Sequence, residues 1–195
     1  MTGLITGSRV RLRPAAAPDA ARFEEILSHP EVARWWADAE EPVAAQVSYL
    51  LDPDEGTTTY AIELDDVTGD DLTGDDLTGT VVGIELAFEE ADPQYRHAGI
   101  DIAVHPDFQG RGLGSDAIRT LAEYLFTVRG HHRLVIDPAA GNETAIRLYS
   151  ALGFRPVGTM RSYERGPDGS WHDGLLMDLL VDDLVPASDP ALAGS

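Results

Sequence analysis

The stretch Val104 to Ser115 reads Val-His-Pro-Asp-Phe-Gln-Gly-Arg-Gly-Leu-Gly-Ser. Gly110, Gly112 and Gly114 remove the Cβ at alternate positions, so backbone can come close to a bulky ligand. The stretch links an apolar strand to a helix from Ser115. Free N–H groups of a first helical turn, together with the helix dipole, attract an anion. The chemistry expected is capture of a pyrophosphate, with Arg111 as the local positive charge. The same glycines would also serve a plain turn, and glycine content alone leaves both readings open. Other chemistries are excluded by absences. All 14 basic residues are Arg, and there is no Cys. A chain without Lys forms no Schiff base and has no phosphate-loop lysine. Without Cys it has no thiol nucleophile, disulfide or thiolate metal site. His131-His132 has no carboxylate at ligand spacing, so no metal is expected.

Alternating and helical periodicities define the elements that must hold this stretch. Arg9 to Arg13 alternates as a half-buried strand. A helix opens at Pro18-Asp19, buries Phe23, Ile26 and Leu27, and closes at His29-Pro30. Val43, Val47, Leu50 and Leu51 mark a second helix. Thr57 to Leu64 and Thr80 to Phe88 read as paired strands, the second with Val82, Ile84, Leu86 and Phe88 on one face. Ala98 to Val104 is a strand, the helix from Ser115 follows, and Arg133 to Asp137 is a short apolar strand. Asn142 to Leu152 is a helix stopped by Gly153. Phe154 to Tyr163 and Trp171 to Leu180 form a hairpin. The order predicts a mixed α/β sheet in one domain over residues 1–181. Within it, 65–79 carries the repeat Thr-Gly-Asp-Asp-Leu from Thr68 and again from Thr73. It reads as an acidic, mobile loop insertion, because it has little apolar surface with which to order itself. Its five-residue period matches no calcium-loop spacing. Residues 182–195 read as a flexible tail.

The length of 195 residues suits one domain, and 43% hydrophobic residues suffice for a core. No apolar run is long enough to span a bilayer, and the first residues lack a signal-peptide pattern. A soluble, cytoplasmic protein is expected. A net charge of -20 repels nucleic acid and anionic membranes and favours a cationic partner.

Gln109-x-x-Gly112-x-Gly114 resembles the coenzyme A pyrophosphate signature of the GNAT acetyltransferases. Asn142-x-x-Ala145-x-x-Leu148-Tyr149-x-x-x-Gly153-Phe154 resembles that family's next segment, at its usual distance, and the element order from Arg9 to Leu180 agrees. The resemblance implies the GNAT acyl-CoA N-acyltransferase fold, a mostly antiparallel sheet whose central strands splay between flanking helices. It implies that acetyl-CoA is the co-substrate, with no metal. The pantetheine arm would bond to Ile102 and Val104 in a split between the strands at Ile100–Val104 and Leu134–Asp137. The pyrophosphate would sit on Gln109, Gly110, Arg111, Gly112, Leu113, Gly114 and Ser115. Asn142 and Ala145 would border the arm, and Tyr149 would protonate the departing thiolate.

Within the family, Val32-Ala33-Arg34-Trp35-Trp36, Gly99-Ile100-Asp101, Asp137-Pro138 and Ala145-Ile146-Arg147-x-Tyr149 resemble the aminoglycoside 6′-N-acetyltransferases. That likeness implies a polycationic amino sugar as acceptor, an antibiotic-resistance activity, and a monomer or homodimer. Asp101 is then the candidate base and Asp137 the acceptor-binding carboxylate, with Glu85 as a third acid and Trp35 and Trp36 as a wall for the sugar. A carboxylate with an ordinary pKa near 4 is a weak base, so an assisting water or a raised pKa is expected. A protein N-terminal or lysine-side-chain amine, siderophore-type acyl transfer to a modified lysine, and a non-catalytic acyl-CoA-binding role are the alternatives.

Overall fold

The computed structural model describes residues 3–37, 40–65 and 79–186. Eight strands form one sheet: β1 (Ile5–Thr6), β2 (Val10–Pro14), β3 (Thr57–Leu64), β4 (Val81–Glu90), β5 (His97–Val104), β6 (Arg133–Ile136), β7 (Arg155–Arg165) and β8 (Trp171–Leu180). Their order across the sheet is β1-β2-β3-β4-β5-β6-β8-β7. Every neighbouring pair is antiparallel except β5 and β6. Helices α1 (Ala20–Ser28), α2 (Pro30–Trp36) and α3 (Val43–Leu51) cover one face. Helices α4 (Leu113–Thr127) and α5 (Glu143–Leu152) cover the other. The mixed α/β architecture is the one expected.

Each face buries its own apolar layer. Phe23, Ile26, Leu50, Ile84 and Leu86 pack under α1 and α3. Ile62, Ile100, Ile118, Leu121 and Leu134 pack under α4 and α5. A fully buried side chain of this size contributes about 1.5–3 kcal/mol.

Two features open the middle of the sheet. First, β5 and β6 pair at only two positions, Ala98 with Leu134 and Gly99 with Val135. Beyond Gly99 the parallel ladder stops, so the rest of β5 faces a gap. Second, β4 carries a bulge. Ile62 pairs with Gly83 and Glu63 with Val81, which leaves Val82 unpaired between them. An extra residue reverses the alternation of a strand. Val82 therefore joins the α4–α5 layer, while Ile84 and Leu86 join the α1–α3 layer. The single face expected for Val82, Ile84, Leu86 and Phe88 is split for this reason. At Gly83 a Cβ would lie 2.6 Å from the Ala103 carbonyl oxygen, so the bulge needs glycine there.

Pro30 does more than end α1. It occupies the first turn of α2, whose N-cap His29 accepts the Glu31 amide at Nδ1 over 3.3 Å. Proline suits that position because its missing N–H has no partner to lose. This helix, not foreseen as one, places Trp35 and Trp36 at its C-terminal end. Helix α4 begins at Leu113, two residues before Ser115, and Asp116 in its first turn pins it to the N-terminal strands. Asp116 accepts the amides of Ser8, Arg9 and Val10 at 3.3, 2.7 and 3.1 Å.

The C-terminal boundary also moves. Residues 182–186 are docked rather than flexible. The Val185 amide donates to the Leu152 carbonyl over 3.0 Å, Arg119 Nε donates to the Val185 carbonyl over 3.1 Å, and Arg155 pairs with Asp183. Gly153, at φ +106°, makes the room, since a Cβ there would overlap the Asp183 carbonyl. The repeat at 66–78 and the last residues, 187–195, lie outside the described residues. Among the described residues, no helix is long and apolar enough to cross a membrane.

Candidate active site

The gap between β5 and β6 has a glycine loop at one end and an acidic cavity at the other. At the loop end, β5 stops at Val104, and a short 3₁₀ turn over Pro106–Phe108 leads to the glycines. Gly110 and Gly112 adopt φ +71° and +76°, left-handed angles that favour glycine. A Cβ at Gly110 would meet nothing within 4 Å. The backbone there borders open space. Gly112 caps α4, and the amides of Leu113, Gly114 and Ser115 follow in its first turn, where intrahelical acceptors are lacking. Arg111 lies with its guanidinium 5.5 Å from the Phe108 ring centre. Arg9 donates to the Arg111 carbonyl, a second cation at the loop that spacing did not reveal. The Gln109 side chain is engaged within the protein: its Nε2 donates to the Val104 carbonyl over 2.8 Å and ties the loop to β5. A diphosphate fits this loop, which combines positive-φ glycines, open space at Gly110, the amides of a first helical turn and two nearby guanidinium groups.

At the other end, a cavity of about 230 Å³ is lined by Asp101, Asp137, Glu164, Asn142, Tyr149 and Trp36, among others. Ile102, whose amide donates to Asp101 Oδ1 over 2.9 Å, also borders it. Asp101 sits on β5 on the face opposite Ile100 and Ile102. It lines the cavity and is exposed to solvent there. The surrounding walls strip water from its carboxyl and push its pKa up to about 7. The Ile102 amide opposes that rise, and the charges of Asp137 and Glu164 add to it.

Tyr149 projects from α5 and is 7% exposed. Burial raises its phenol far above the usual range, and the charges of Asp101, Glu85 and Asp137 raise it further. The hydroxyl keeps its proton at any working pH. Asn142 is the N-cap of α5: its side-chain oxygen accepts the Ala145 amide over 3.2 Å. Asp137 lies just past β6. Tyr163 lies against it, and the Asp137 carboxylate is the main reason the Tyr163 phenol is pushed up to about 12.

Glu164 reaches the cavity, and Tyr163 reaches Asp137 at its edge, through an irregularity in the edge strand β7. Its register with β8 shifts between Met160 and Glu164. Within the shift Ser162 takes a left-handed φ of +48°, and its amide donates to Asp173 Oδ1 over 2.8 Å. Opposite, Gly174 leaves room for the Tyr163 ring, which a Cβ would approach to 2.8 Å. Glu164 is half-buried. Burial raises its carboxyl, as does the charge of Asp137. Strand β8 also holds the loop after β6, since the Leu175 amide donates to the Pro138 carbonyl and the Ala140 amide to the Asp173 carbonyl.

The structure thus gathers Asp101, Asp137, Asn142, Tyr149, Trp35, Trp36 and Ile102 around one cavity, with Val104 to Ser115 at the far end of the gap. Glu85 is a correction. On β4 it pairs in register with Ile102, faces the α4–α5 layer, is fully buried and does not line the cavity that holds Asp101. Both of its carboxyl oxygens lack a partner among the described residues. Glu85 keeps the face opposite Ile84 and Leu86, on the side of Tyr60 and Ala87, and that face is itself buried under α4 and α5. Glu164 and Tyr163 were not foreseen, because a strand bulge leaves no periodic trace in the sequence. Among the described residues, no group of three or more His, Asp or Glu side chains is placed to hold a metal ion.

Glu85 has a consequence for stability. Burial, with the charge of Asp116 nearby, raises its pKa well above the ordinary 4.5. The folded chain then holds a proton that the unfolded chain releases, so folding free energy declines as pH rises above the unfolded value. The limiting slope is about 1.4 kcal/mol per pH unit for one proton. Glu85→Gln removes that titration. Urea unfolding from pH 5 to pH 8 should show the variant gaining on the wild type with every step upward. Parallel curves would mean that Glu85 is charged in the fold.

Comparisons with known proteins add to this geometry. The sequence profile described as an acetyltransferase (GNAT) domain matches residues 9–155. The chain is 31% identical over 174 residues to the aminoglycoside N(6′)-acetyltransferase type 1 of Klebsiella pneumoniae, covering 85% of this chain and 83% of that protein. It is 26% identical over 154 residues to the spermidine N(1)-acetyltransferase of Escherichia coli K12, covering 77% of this chain and 75% of that one. Its fold superposes with a TM-score of 0.68 on the structure of AAC(6′)-Ib in complex with paromomycin and acetyl-CoA, at 25% identity, over 89% of this chain and 94% of the other.

Proposed function

The chain belongs to the GNAT acetyltransferase family and is an N-acetyltransferase, and from that premise we propose that it transfers an acetyl group from acetyl-CoA to the 6′-amine of an aminoglycoside. The observation that carries this reading is the cavity at the split. A carboxyl raised to about 7, a protonated phenol and two further carboxylates share about 230 Å³.

Bound acetyl-CoA supplies an activated acyl group with a thiolate as leaving group. The residues that would hold it are the loop from Gln109 to Ser115 for the diphosphate, with Arg9 and Arg111 beside it. The arm would lie along Ile102 and Val104 and past Asn142 and Ala145. Asp137 and Glu164 hold ammonium groups of the acceptor. Asp101 takes the proton that the attacking nitrogen must lose, and a base near pH 7 is matched to that task. Tyr149 lies across the gap and delivers its proton to the departing sulfur. No side-chain acyl carrier is needed, since Cys is absent and the acid–base pair suffices for direct transfer.

A polyamine is the second reading, favoured by the likeness to a spermidine N(1)-acetyltransferase and by the carboxylates, which suit any polycation. Thiol release from acetyl-CoA should be followed with kanamycin, spermidine and a short peptide carrying a free N-terminus. Kanamycin is expected to give the highest kcat/KM. Spermidine ahead of kanamycin would replace the amino sugar by a polyamine, and a preference for the peptide would remove both.

A further inference from the structure

A second cavity, of about 690 Å³, opens beside the first and shares Trp35, Trp36, Ala139 and Glu164 with it. All three tryptophans of the chain line this outer space, the third being Trp171 at the start of β8. Trp171 is 63% exposed, an unusual position for the largest apolar side chain. No ring contact or cation–π partner is found for it among the described residues. An indole held in the open against a cavity is a platform for a flat apolar face.

The charges around it are mixed, unlike those of the inner cavity. Glu164 and Asp173 supply carboxylate oxygens. Arg34, stacked 4.6 Å over the Trp35 ring, and Arg165, paired with Glu40, supply guanidinium donors. A linear polyamine carries only donors and would face two cations without acceptors to give them. A ring bearing both amines and hydroxyls answers both sets: ammonium to carboxylate, hydroxyl oxygen to guanidinium, and its C–H face to indole.

Resting on the acetyltransferase reading above, we infer that the outer cavity is a subsite for the non-reacting rings of an amino-sugar acceptor, and that Trp171 determines selectivity for acceptors with more than one ring. The reacting amine enters the inner cavity past Glu164 while the following rings lie on Trp171. The β7–β8 hairpin therefore sets acceptor length, and the inner carboxylates set only the demand for a cation.

Calorimetric binding tests this without requiring turnover. Kanamycin, which has several rings, and 6-amino-6-deoxyglucose, which has one, are titrated into the CoA-bound wild type, Trp171→Ala and Trp171→Phe. The Ala variant should weaken kanamycin about tenfold, the order expected for loss of one stacked aromatic. The Phe variant should recover most of that. The one-ring amine should change by less than twofold. Equal Kd values for kanamycin in wild type and Ala variant would overturn the assignment, as would equal weakening of both amines or no kanamycin binding to the wild type. Kanamycin that binds through Trp171 yet is never acetylated would leave the subsite standing and sink the transfer reaction. Acetylation unaffected by Trp171 would do the reverse.

Discussion

Asp101→Asn is expected to lower kcat/KM for the amine by about 10²–10⁴-fold at pH 7, the range typical for loss of a general base. The variant keeps shape and volume and removes only the ability to take a proton. It should fold at least as well as the wild type. A charge repelled by Asp137 and Glu164 disappears, and a carboxyl whose ionised form its desolvated setting disfavours becomes a neutral amide. Thermal melting beside the kinetics therefore separates lost chemistry from lost structure. The pH profile gives the sharper reading. A base must be ionised to act, so wild-type kcat/KM should climb as pH passes upward through about 7, where Asp101 releases its proton. The Asn variant should lack that limb. A variant that keeps wild-type rates from pH 6 to 9 would remove Asp101 from the mechanism.

Tyr149→Phe should lower kcat by about 10²-fold, at the small end of the same range, while calorimetry shows CoA affinity unchanged. The substitution preserves the buried ring beside Phe154, whose centre lies 6.0 Å away. It removes the one protonated oxygen donor that α5 presents to the cavity. Because burial and three nearby carboxyls hold the phenol protonated, its own ionisation should leave no descending limb below about pH 10. If CoA binding falls as far as kcat does, the hydroxyl anchors the ligand and another group supplies the proton.

The parts legible in the sequence are those that repeat or that glycine enforces. Alternation marked β5, and helical spacing marked the apolar stripe of α4. The glycine pattern located the loop between them because left-handed turns at Gly110 and Gly112 leave few other residues possible. Asn142 showed itself as a helix start, which the capping bond to Ala145 agrees with. What escaped notice depends on interruptions of period. One extra residue at Val82 put Val82 and Ile84 on opposite faces of β4, and helices over both faces buried Glu85. The shift around Ser162 brought Glu164 to a cavity whose other walls come from far earlier in the chain, and Tyr163 against Asp137. The proline after α1 read as an end, although it also begins α2. The docked residues 182–186 were missed because their partners, Leu152, Arg119 and Arg155, contribute backbone and charge instead of a hydrophobic pattern.

The provenance of the two cavities carries a last consequence. Apart from Arg9, everything that would grip the acyl donor derives from one unbroken run of chain, β5 through α5. The outer cavity takes its walls from α2, from the loop after β6 and from the hairpin of the edge strand β7. Strand β7 is almost wholly solvent-facing and is bordered by β8 alone. Such a periphery can drift, lengthen or be transplanted while the donor machinery is inherited intact. Directed evolution toward new amines should therefore accumulate its substitutions in α2 and the hairpin, and a graft of the hairpin from a relative should carry acceptor preference with it.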